Sequence, residues 1–277
     1  MSTPYLFSVD VEDVRAQVPG GERFRPRVPE LTARYLDLLR RHAATGTFFV
    51  VGEVARAHPE LVRRIAAEGH EIACHSDRHL PLDRHDAAGF RDDVRRNLEA
   101  LDAAGATGVR GFRAPCFSLT GETRWAYAVL AELGFTYSSS VLPARSPLYG
   151  WPGFGSAPRM MDGVLELPIT LLSILRVPVG GGVYFRTLPA TLLRRALRRR
   201  HERGEAVLGY LHPYDIDVEQ ARFAHPPFSR WSPYNLLMYA NRGGVFRRLE
   251  SLMRTGFALA SYGAFADAVR GRMADAR

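Results

Sequence analysis

An α/β barrel with seven or eight parallel strands is the fold class that the sequence predicts, and two observations support this prediction. Eight short strand-like runs and seven amphipathic stretches alternate along the 277 residues. This alternation is typical of a parallel sheet covered by helices. Hydrophobic residues make up 46% and charged residues 24%, a balance that excludes a disordered or fibrous chain. An open, doubly wound sheet would show the same alternation and is the competing prediction.

The predicted strands are short runs of β-branched, aromatic and other apolar residues. They cover Tyr5–Val11, Thr47–Val51, Glu71–Cys74, Val109–Arg113, Thr136–Ser139, Val164–Pro168, Val207–Leu211 and Phe257–Ser261. The predicted helices carry apolar residues at helical spacing, and several begin with a proline or a capping residue. They cover Pro29–His42, Pro59–Glu68, Asp86–Ala104, Thr120–Leu133, Pro189–His201, Gly244–Met253 and Tyr262–Met273. Together these elements predict one distorted (β/α) barrel domain over residues 1–277.

One stretch, Leu142–Met161, interrupts the alternation. Its prolines and glycines argue against a regular element, so we expect a long loop over one face of the barrel. Such a loop either shapes a substrate groove or is a plain surface excursion. Trp151 lies within it and is our candidate for stacking on a sugar ring.

The charge is strongly positive, with 37 basic and 29 acidic side chains and a formal net charge of +8. Every basic residue is arginine. The densest group, Arg194–Arg203, has helical spacing and a leucine stripe, so we interpret it as the solvated face of a helix. Attraction to an anionic surface or substrate, such as a lipid phosphate, is the functional alternative. Because the other arginines are spread along the chain, nucleic acid is not an expected partner.

Targeting and redox signals are also informative. The sequence has no apolar run of the roughly 20 residues that a membrane span requires. Its first ten residues lack the pattern of a signal peptide. Two cysteines are too few for a disulfide framework. We therefore expect a cytoplasmic protein without a transmembrane segment.

Three carboxylates stand at the end of the first predicted strand, in Phe7-Ser-Val-Asp-Val-Glu-Asp13. Repulsion among Asp10, Glu12 and Asp13 must be offset by a cation, an arginine or a raised pKa. The plain structural explanation is an acidic loop that faces solvent. By itself, this motif indicates a functional site only weakly.

A histidine pair follows the third predicted strand, in Gly69-His-Glu-Ile-Ala-Cys-His75-Ser-Asp-Arg-His79. If His75 and His79 lie on one helical turn, both imidazoles project to one side and can share a metal ion. Two histidines and one carboxylate form a recurring open site for a catalytic divalent metal. Histidine pairs at this spacing also arise by chance.

Two further motifs stand at predicted strand ends. Arg113, in Gly111-Phe-Arg-Ala-Pro115, is suited to pair with a carboxylate across the mouth of a barrel. His212 ends an apolar strand and is followed by Asp215 and Asp217, and histidine is the residue type that proton transfer at neutral pH needs. All four motifs therefore lie at carboxyl ends of predicted strands, where the active sites of α/β barrels are found.

With these motifs, the sequence resembles the polysaccharide deacetylase family, carbohydrate esterase family 4, also called the NodB-homology domain. The order and spacing of the motifs fit from Phe7 to about Ser261. The chain is similar in particular to a bacterial branch that begins Asp-Val-Glu-Asp and is associated with exopolysaccharide synthesis. That branch also carries the stretches that read here Val179-Gly-Gly-Gly-Val-Tyr-Phe-Arg186 and His212-Pro-Tyr-Asp-Ile-Asp217.

The resemblance implies metal-dependent removal of an N-acetyl group from an amino sugar. Asp10 matches the catalytic base, Arg113 its partner and His212 the general acid. His75 and His79 match the metal histidines, and the metal carboxylate is Glu12 or Asp13. The expected metal is zinc, with cobalt as an alternative. The backbone N–H of Cys116 matches the oxyanion donor.

One departure from the family pattern concerns Ser138. The family commonly has an aspartate in the segment that reads here Tyr137-Ser-Ser-Ser140. An acid that would orient the histidine or a substrate hydroxyl is therefore missing, and Asp215 or Asp217 is expected to replace it.

The expected partner is an N-acetylated carbohydrate, and a lipid-linked or nucleotide-linked precursor would suit the basic charge. One alternative is hydrolysis of a cyclic amide, as in allantoinase-like relatives, some of which need no metal. Another is a catalytically impaired homologue that binds carbohydrate. The sequence does not predict the oligomeric state.

Overall fold

The computed structural model has an α/β fold in which parallel strands form the centre, and it describes residues 3–173, 175–225 and 228–275. Within these ranges the strands are β1 (Thr3–Leu6), β2 (Ser8–Val11), β3 (Thr47–Val50), β4 (Glu71–Cys74), β5 (Gly111–Phe112), β6 (Tyr137–Ser138), β7 (Arg159–Met161), β8 (Val164–Glu166), β9 (Val207–Leu208) and β10 (Phe257–Ala260). The α-helices are α1 (Val28–Arg41), α2 (Gly52–Ala57), α3 (Pro59–Ala67), α4 (Ala87–Ala103), α5 (Ala126–Glu132), α6 (Gly182–Thr187), α7 (Ala190–Glu202), α8 (Pro233–Leu237), α9 (Val245–Arg254) and α10 (Tyr262–Asp275).

The strands form two sheets, ordered β2-β3-β4-β5-β6-β8-β7 and β10-β1-β9. All pairs are parallel except β7 with β8. β1 and β2 run in the same direction on either side of Phe7. β1 pairs with β10 and β9, whereas β2 pairs with β3. The N–H of Phe7 donates to Ala260 (2.9 Å), and its carbonyl accepts from Thr47 (3.0 Å). The predicted parallel α/β fold is therefore confirmed.

The ring of strands is distorted rather than fully closed. Among the described residues, no strand ladder joins β8 to β9, and residues 167–173 and 175–182 occupy this interval. Pro168 and Pro178 lie in that segment, and proline cannot donate a ladder hydrogen bond. Leu211 continues the path of β9 and forms a parallel bridge with Val9, so the site-bearing strands remain adjacent.

Along the buried central strands, successive side chains project alternately into the interior and toward the helix layer. Phe49 of β3 packs in an interior cluster with Leu6, Tyr137 and Leu165. Its neighbour Phe48 packs in another cluster, with residues of α1 and α3. Because the interior is filled by side chains, polar groups can gather only where the strands end.

Several elements differ from the predicted ones. The short helices α2, α6 and α8 escaped prediction because one or two turns carry too little periodicity to recognise. α5 begins at Ala126 rather than Thr120, since the residues before it form a turn in which Thr123 donates to the Ser118 carbonyl (2.9 Å). β7 falls in the segment predicted to be irregular and forms a hairpin with β8 through Asp162 and Gly163.

The glycines after Val179 allow a close approach of two backbones. A Cβ at Gly181 would lie 1.7 Å from the Tyr210 carbonyl oxygen, which also accepts from the N–H of Gly182 (2.9 Å). α6 starts at this contact and carries Arg186 toward the residues that follow β9. Over the described ranges, no helix has both the length and the apolarity to cross a bilayer.

Candidate functional site

A cavity of about 250 Å³ lies at the carboxyl ends of the central strands. We call it the strand-end cavity. Four separate chain segments, after β2, β4, β5 and β9, bring side chains to its wall. The sequence-predicted residues on this wall are Asp10, Glu12, His75, His79, Cys116 and His212. The parallel strands therefore gather residues that are as far as 202 positions apart in the numbering.

Glu12, His75 and His79 form a compact donor set, with one donor atom of each lying within 4.8 Å of the others. The carboxylate of Glu12 lies 2.6 Å from Nε2 of His79. Nδ1 of His75 lies 2.8 Å from the carbonyl oxygen of Arg113, so Nδ1 carries the proton and donates it to that oxygen. Nε2 of His75 is then free to bind a metal ion. One carboxylate and two imidazoles suit a divalent metal such as zinc and leave a coordination position open.

Electrostatics favours the metal-binding forms of this set. Burial lowers the pKa of His75 to about 4, so the imidazole is neutral at neutral pH. Burial opposes ionisation of Glu12, but His79 and then His212 hold its pKa well below the usual range. Glu12 is therefore anionic.

The two histidines do not lie on a helical turn, so the condition considered for their alignment is not met. Residues 75–79 form an irregular loop in which Ser76 and His79 have φ values of 63° and 55°. The N–H of His79 donates to Oγ of Ser76 (3.0 Å) and stabilises the loop. The imidazole rings are nevertheless adjacent, with centroids 4.9 Å apart.

Gln17 is a site residue that the sequence did not reveal. Its amide nitrogen donates to Glu12 Oε2 (3.0 Å) and lies 2.9 Å from Nδ1 of His79. Gln17 ends a 3₁₀ helix, Val14–Gln17, that follows β2. A lone glutamine outside any motif carries no sequence signal of this role.

Asp13 lies apart from the donor set. Its carboxylate forms an ion pair with Arg15 (2.5 Å) and accepts the backbone N–H of the same residue (3.1 Å). It therefore caps the 3₁₀ helix. Of the two carboxylates that the sequence left open, Glu12 is the one whose oxygen reaches the histidines.

Asp10 and Arg113 form a buried ion pair, with Oδ1 and Nη1 2.5 Å apart. Arg113 also donates to Ser8 Oγ (2.7 Å) and to the Ser139 carbonyl (3.1 Å), and its guanidinium lies 4.0 Å from the Phe49 ring centroid. The other oxygen of Asp10, Oδ2, is 3.9 Å from Nε2 of both His75 and His212. Asp10 thus keeps one oxygen for its partner and presents the other to the cavity.

His212 is held by an acid from the loop that follows it. Nδ1 of His212 lies 2.9 Å from Asp215 Oδ2, and Arg186 binds the other oxygen of Asp215 (2.8 Å). Burial opposes protonation of His212, but the hydrogen bond and charge of Asp215 outweigh it and raise the pKa of His212. Arg186 and His212 in turn hold the pKa of Asp215 at about 2. The sequence identified His212 and Asp215, whereas Arg186 became apparent only through its contact.

The aspartate expected near Ser138 would not face the strand-end cavity. Ser138 donates to Ser140 Oγ (2.7 Å), and Ser140 and Val141 donate their N–H groups to the buried Glu166 (2.8 and 2.9 Å). Of the two proposed replacements, Asp215 contacts His212. Asp217 instead forms an ion pair with Arg27 (2.8 Å).

Cys116 and Trp151 occupy different positions. Cys116 lines the strand-end cavity with φ of 55°, and burial raises the pKa of its thiol to about 12, so the thiol is not a nucleophile at neutral pH. Trp151 packs on Phe154 (5.0 Å between ring centroids) and lines an adjoining depression instead. That depression shares Arg145 and Tyr149 with the strand-end cavity.

Comparisons with known proteins match two parts of the chain to two family models. Residues 21–138 match the family model described as polysaccharide deacetylase. Residues 139–264 match a domain of unknown function, DUF3473. The division falls directly after β6, which pairs with β5 on one side and β8 on the other.

Two similar relatives are named chitooligosaccharide deacetylase. The one from Rhizobium leguminosarum bv. trifolii is 40% identical over 76 residues, 27% of this chain and 35% of the relative. The one from Sinorhizobium fredii is 42% identical over 91 residues, 31% of this chain and 41% of the relative. Each match therefore spans less than half of this chain and less than half of the relative.

A solved structure from Mycobacterium smegmatis, assigned to the polysaccharide deacetylases, has a similar fold. The TM-score is 0.68 at 22% identity, over 98% of this chain and 92% of that chain. At this identity the likeness establishes the fold alone. The match over residues 21–138 identifies this part of the chain as a polysaccharide deacetylase domain, within a fold that is similar over nearly the whole chain.

Proposed function

We propose that the chain is a metal-dependent N-deacetylase that removes acetyl groups from N-acetylated amino sugars in a glycan or glycan precursor. One observation carries this proposal. The donor set of Glu12, His75 and His79 shares the strand-end cavity with two further ionisable groups, Asp10 and His212. Amide hydrolysis requires such a set, because a water must lose a proton and an amine must gain one.

Glu12, His75 and His79 would hold the metal. A divalent cation bound there, zinc or cobalt, supplies Lewis-acid polarisation of the acetyl carbonyl and lowers the pKa of water. The proposal rests on the donor chemistry of this chain, since Nε2 of His75 is unprotonated and Glu12 is anionic.

Asp10 is the proposed base. Its Oδ2 accepts the proton of the attacking water, while Arg113 holds Oδ1 and fixes the carboxylate. The backbone N–H of Cys116 is the proposed donor to the oxyanion that develops on the acetyl oxygen. Cleavage of the C–N bond yields acetate and the free amino sugar.

His212 is the proposed acid. Its Nε2 faces the cavity, 3.8 Å from Glu12 Oε1, while Nδ1 is held by Asp215. The protonated imidazole gives its Nε2 proton to the departing amine. A raised pKa keeps His212 protonated in a larger fraction of molecules at neutral pH.

The direct test is acetate release from a panel of N-acetylated amino sugars, free, oligomeric and lipid- or nucleotide-linked, with metal-free protein and after addition of zinc or cobalt. We expect release from at least one amino sugar and only with metal. Glycan binding without acetate release from the metal-loaded protein would instead indicate an impaired homologue. Opening of a cyclic amide without metal would favour the allantoinase-like alternative.

Substitution of Asp215 should change the pH dependence of the reaction. Asp215→Asn removes the charge that raises the pKa of His212, so His212 loses its proton at lower pH. The alkaline decline of kcat should therefore move to lower pH. The pH profile of acetate release measures this shift.

Asp217→Asn is the matched control, because Asp217 pairs with Arg27 rather than with His212. Its alkaline limb should coincide with that of the unsubstituted protein. Equal profiles for all three proteins would show that His212 is not the acid.

A further inference from the structure

An exposed apolar surface lies beside the strand-end cavity. Four large side chains around α8 are strongly exposed, with Trp231 at 82%, Leu236 at 52%, Tyr234 at 50% and Leu237 at 39%. Together with Phe228 they form what we call the apolar rim. Exposed apolar patches of this kind often mark sites that bind a protein, a membrane or a ligand.

The polarity of α8 is inverted relative to a helix that faces water. Its polar residue Asn235 is buried, accepts the N–H of His225 (2.9 Å) and donates to the Arg230 carbonyl (3.0 Å). These hydrogen bonds hold α8 with its apolar side chains outward. The exposure therefore follows from a fixed orientation of the helix.

The apolar rim is continuous with the strand-end cavity. Phe228 lines the cavity and stacks on Tyr234, with ring centroids 5.4 Å apart and planes inclined by 21°. Met238, directly after α8, also lines the cavity. A surface that covers the rim would therefore lie at the mouth of the cavity.

Positive charge adjoins the rim. Residues 221–249 contain five arginines and no acidic residue. A groove between α7 and α9 is lined by Arg194, Arg247, Arg248 and Arg254, and we call it the arginine groove. Asn241, four residues after Leu237, lines the same groove. The apolar rim and the arginine groove are therefore close along the chain and joined by one short segment.

The arginine groove lacks neutralising partners. Within the described ranges, Arg194, Arg247 and Arg254 form no ion pair, and no acidic side chain lines the groove. Arg248 is fixed by donating to the carbonyls of Phe185 (2.8 Å) and Leu188 (2.9 Å). Unpaired guanidinium groups of this kind attract phosphate groups.

We propose that the apolar rim and the arginine groove dock the protein on an anionic membrane surface, with the mouth of the strand-end cavity near the lipid headgroups. Tryptophan, tyrosine and leucine side chains enter the interface, while arginines pair with anionic lipid phosphates. A second copy of the chain suits this surface poorly, because a symmetric contact would bring two arginine grooves together. The proposal does not depend on the deacetylase activity.

The test is co-sedimentation of the full chain with phosphatidylcholine vesicles that contain or lack phosphatidylglycerol, at low and high salt. We expect binding to the anionic vesicles that weakens with salt. Tryptophan fluorescence should shift to shorter wavelength on binding, since Trp231 is the most exposed of the three tryptophans. Arg194→Glu with Arg247→Glu should lower the partition coefficient at least about tenfold. Trp231→Ala with Leu236→Ala should lower it about tenfold and abolish the fluorescence shift.

Arg124→Glu is the charge control, since this exposed arginine precedes α5 and lies outside both surfaces. It should bind vesicles about as well as the unsubstituted chain. Absence of binding at low salt would overturn the proposal. Unchanged vesicle binding by either double variant would also overturn it. The same holds if the chain forms a dimer in solution and the double substitution Trp231→Ala with Leu236→Ala dissociates that dimer. Acetate release from a soluble substrate, measured in parallel, tests the proposed function separately.

Discussion

Asp10→Asn should lower kcat/KM for acetate release by about 10²–10⁴, the usual loss when a general base is removed. Asparagine has nearly the same shape as aspartate and still accepts a hydrogen bond from Arg113, so we expect the chain to fold. It cannot accept a proton from water at the free oxygen, which faces His75 and His212. Steady-state kinetics with the metal-loaded variant measures the loss.

The loss must be separated from a change in stability. Asp10→Asn leaves the buried Arg113 without its counter-charge, which lowers the free energy of unfolding. Circular dichroism and thermal unfolding would establish the folded fraction at the assay temperature. Full turnover by folded Asp10→Asn would show that another group takes the proton.

Glu12→Gln should nearly abolish metal binding and with it acetate release. The amide oxygen is neutral, and the amide cannot replace an anion beside two imidazoles. Loss of a partner outside the ligand set typically lowers metal affinity about 10–100-fold, so loss of a ligand should cost at least as much. Isothermal titration with zinc measures the affinity.

Asp13→Asn is the matched control for Glu12→Gln, since the two acids are neighbours and the substitutions are chemically equivalent. Asp13 binds Arg15 and caps a 3₁₀ helix, so its loss should affect stability slightly and metal affinity little. The reverse pattern, with metal lost only in Asp13→Asn, would assign the ligand to Asp13.

The predictable part of the site consists of residues at strand ends. Parallel strands share one carboxyl edge, so the sequence alone predicts that Asp10, Arg113 and His212 meet. The eight predicted strands are all present, although several are shorter than predicted. Strand pattern and strand direction together therefore suffice to predict which segments converge.

The unpredictable part depends on loop conformation. The adjacency of His75 and His79 arises from two left-handed residues rather than from a helical turn, and sequence spacing does not encode that geometry. The choice of Glu12 over Asp13 as the acid beside the histidines follows from alternation along β2 and the turn after it. Gln17 and Arg186 contact the site through residues far along the chain, and such contacts leave no local pattern.

Ser138 illustrates a second limit. The missing aspartate suggested an impaired site, yet Ser138 bonds to Ser140 beside Glu166, away from His212. The acid that holds His212 comes instead from Asp215, three residues along the chain. A departure from a family motif can therefore be judged only when the direction of the side chain is known.

One divalent cation, held by Glu12, His75 and His79, is the proposed requirement for amide cleavage. The most direct measurement is a zinc titration of metal-free protein in which bound zinc and the rate of acetate release are followed together. We predict that activity rises in proportion to bound zinc and reaches its maximum at one ion per chain. Undiminished acetate release from protein that retains no metal would contradict the claim.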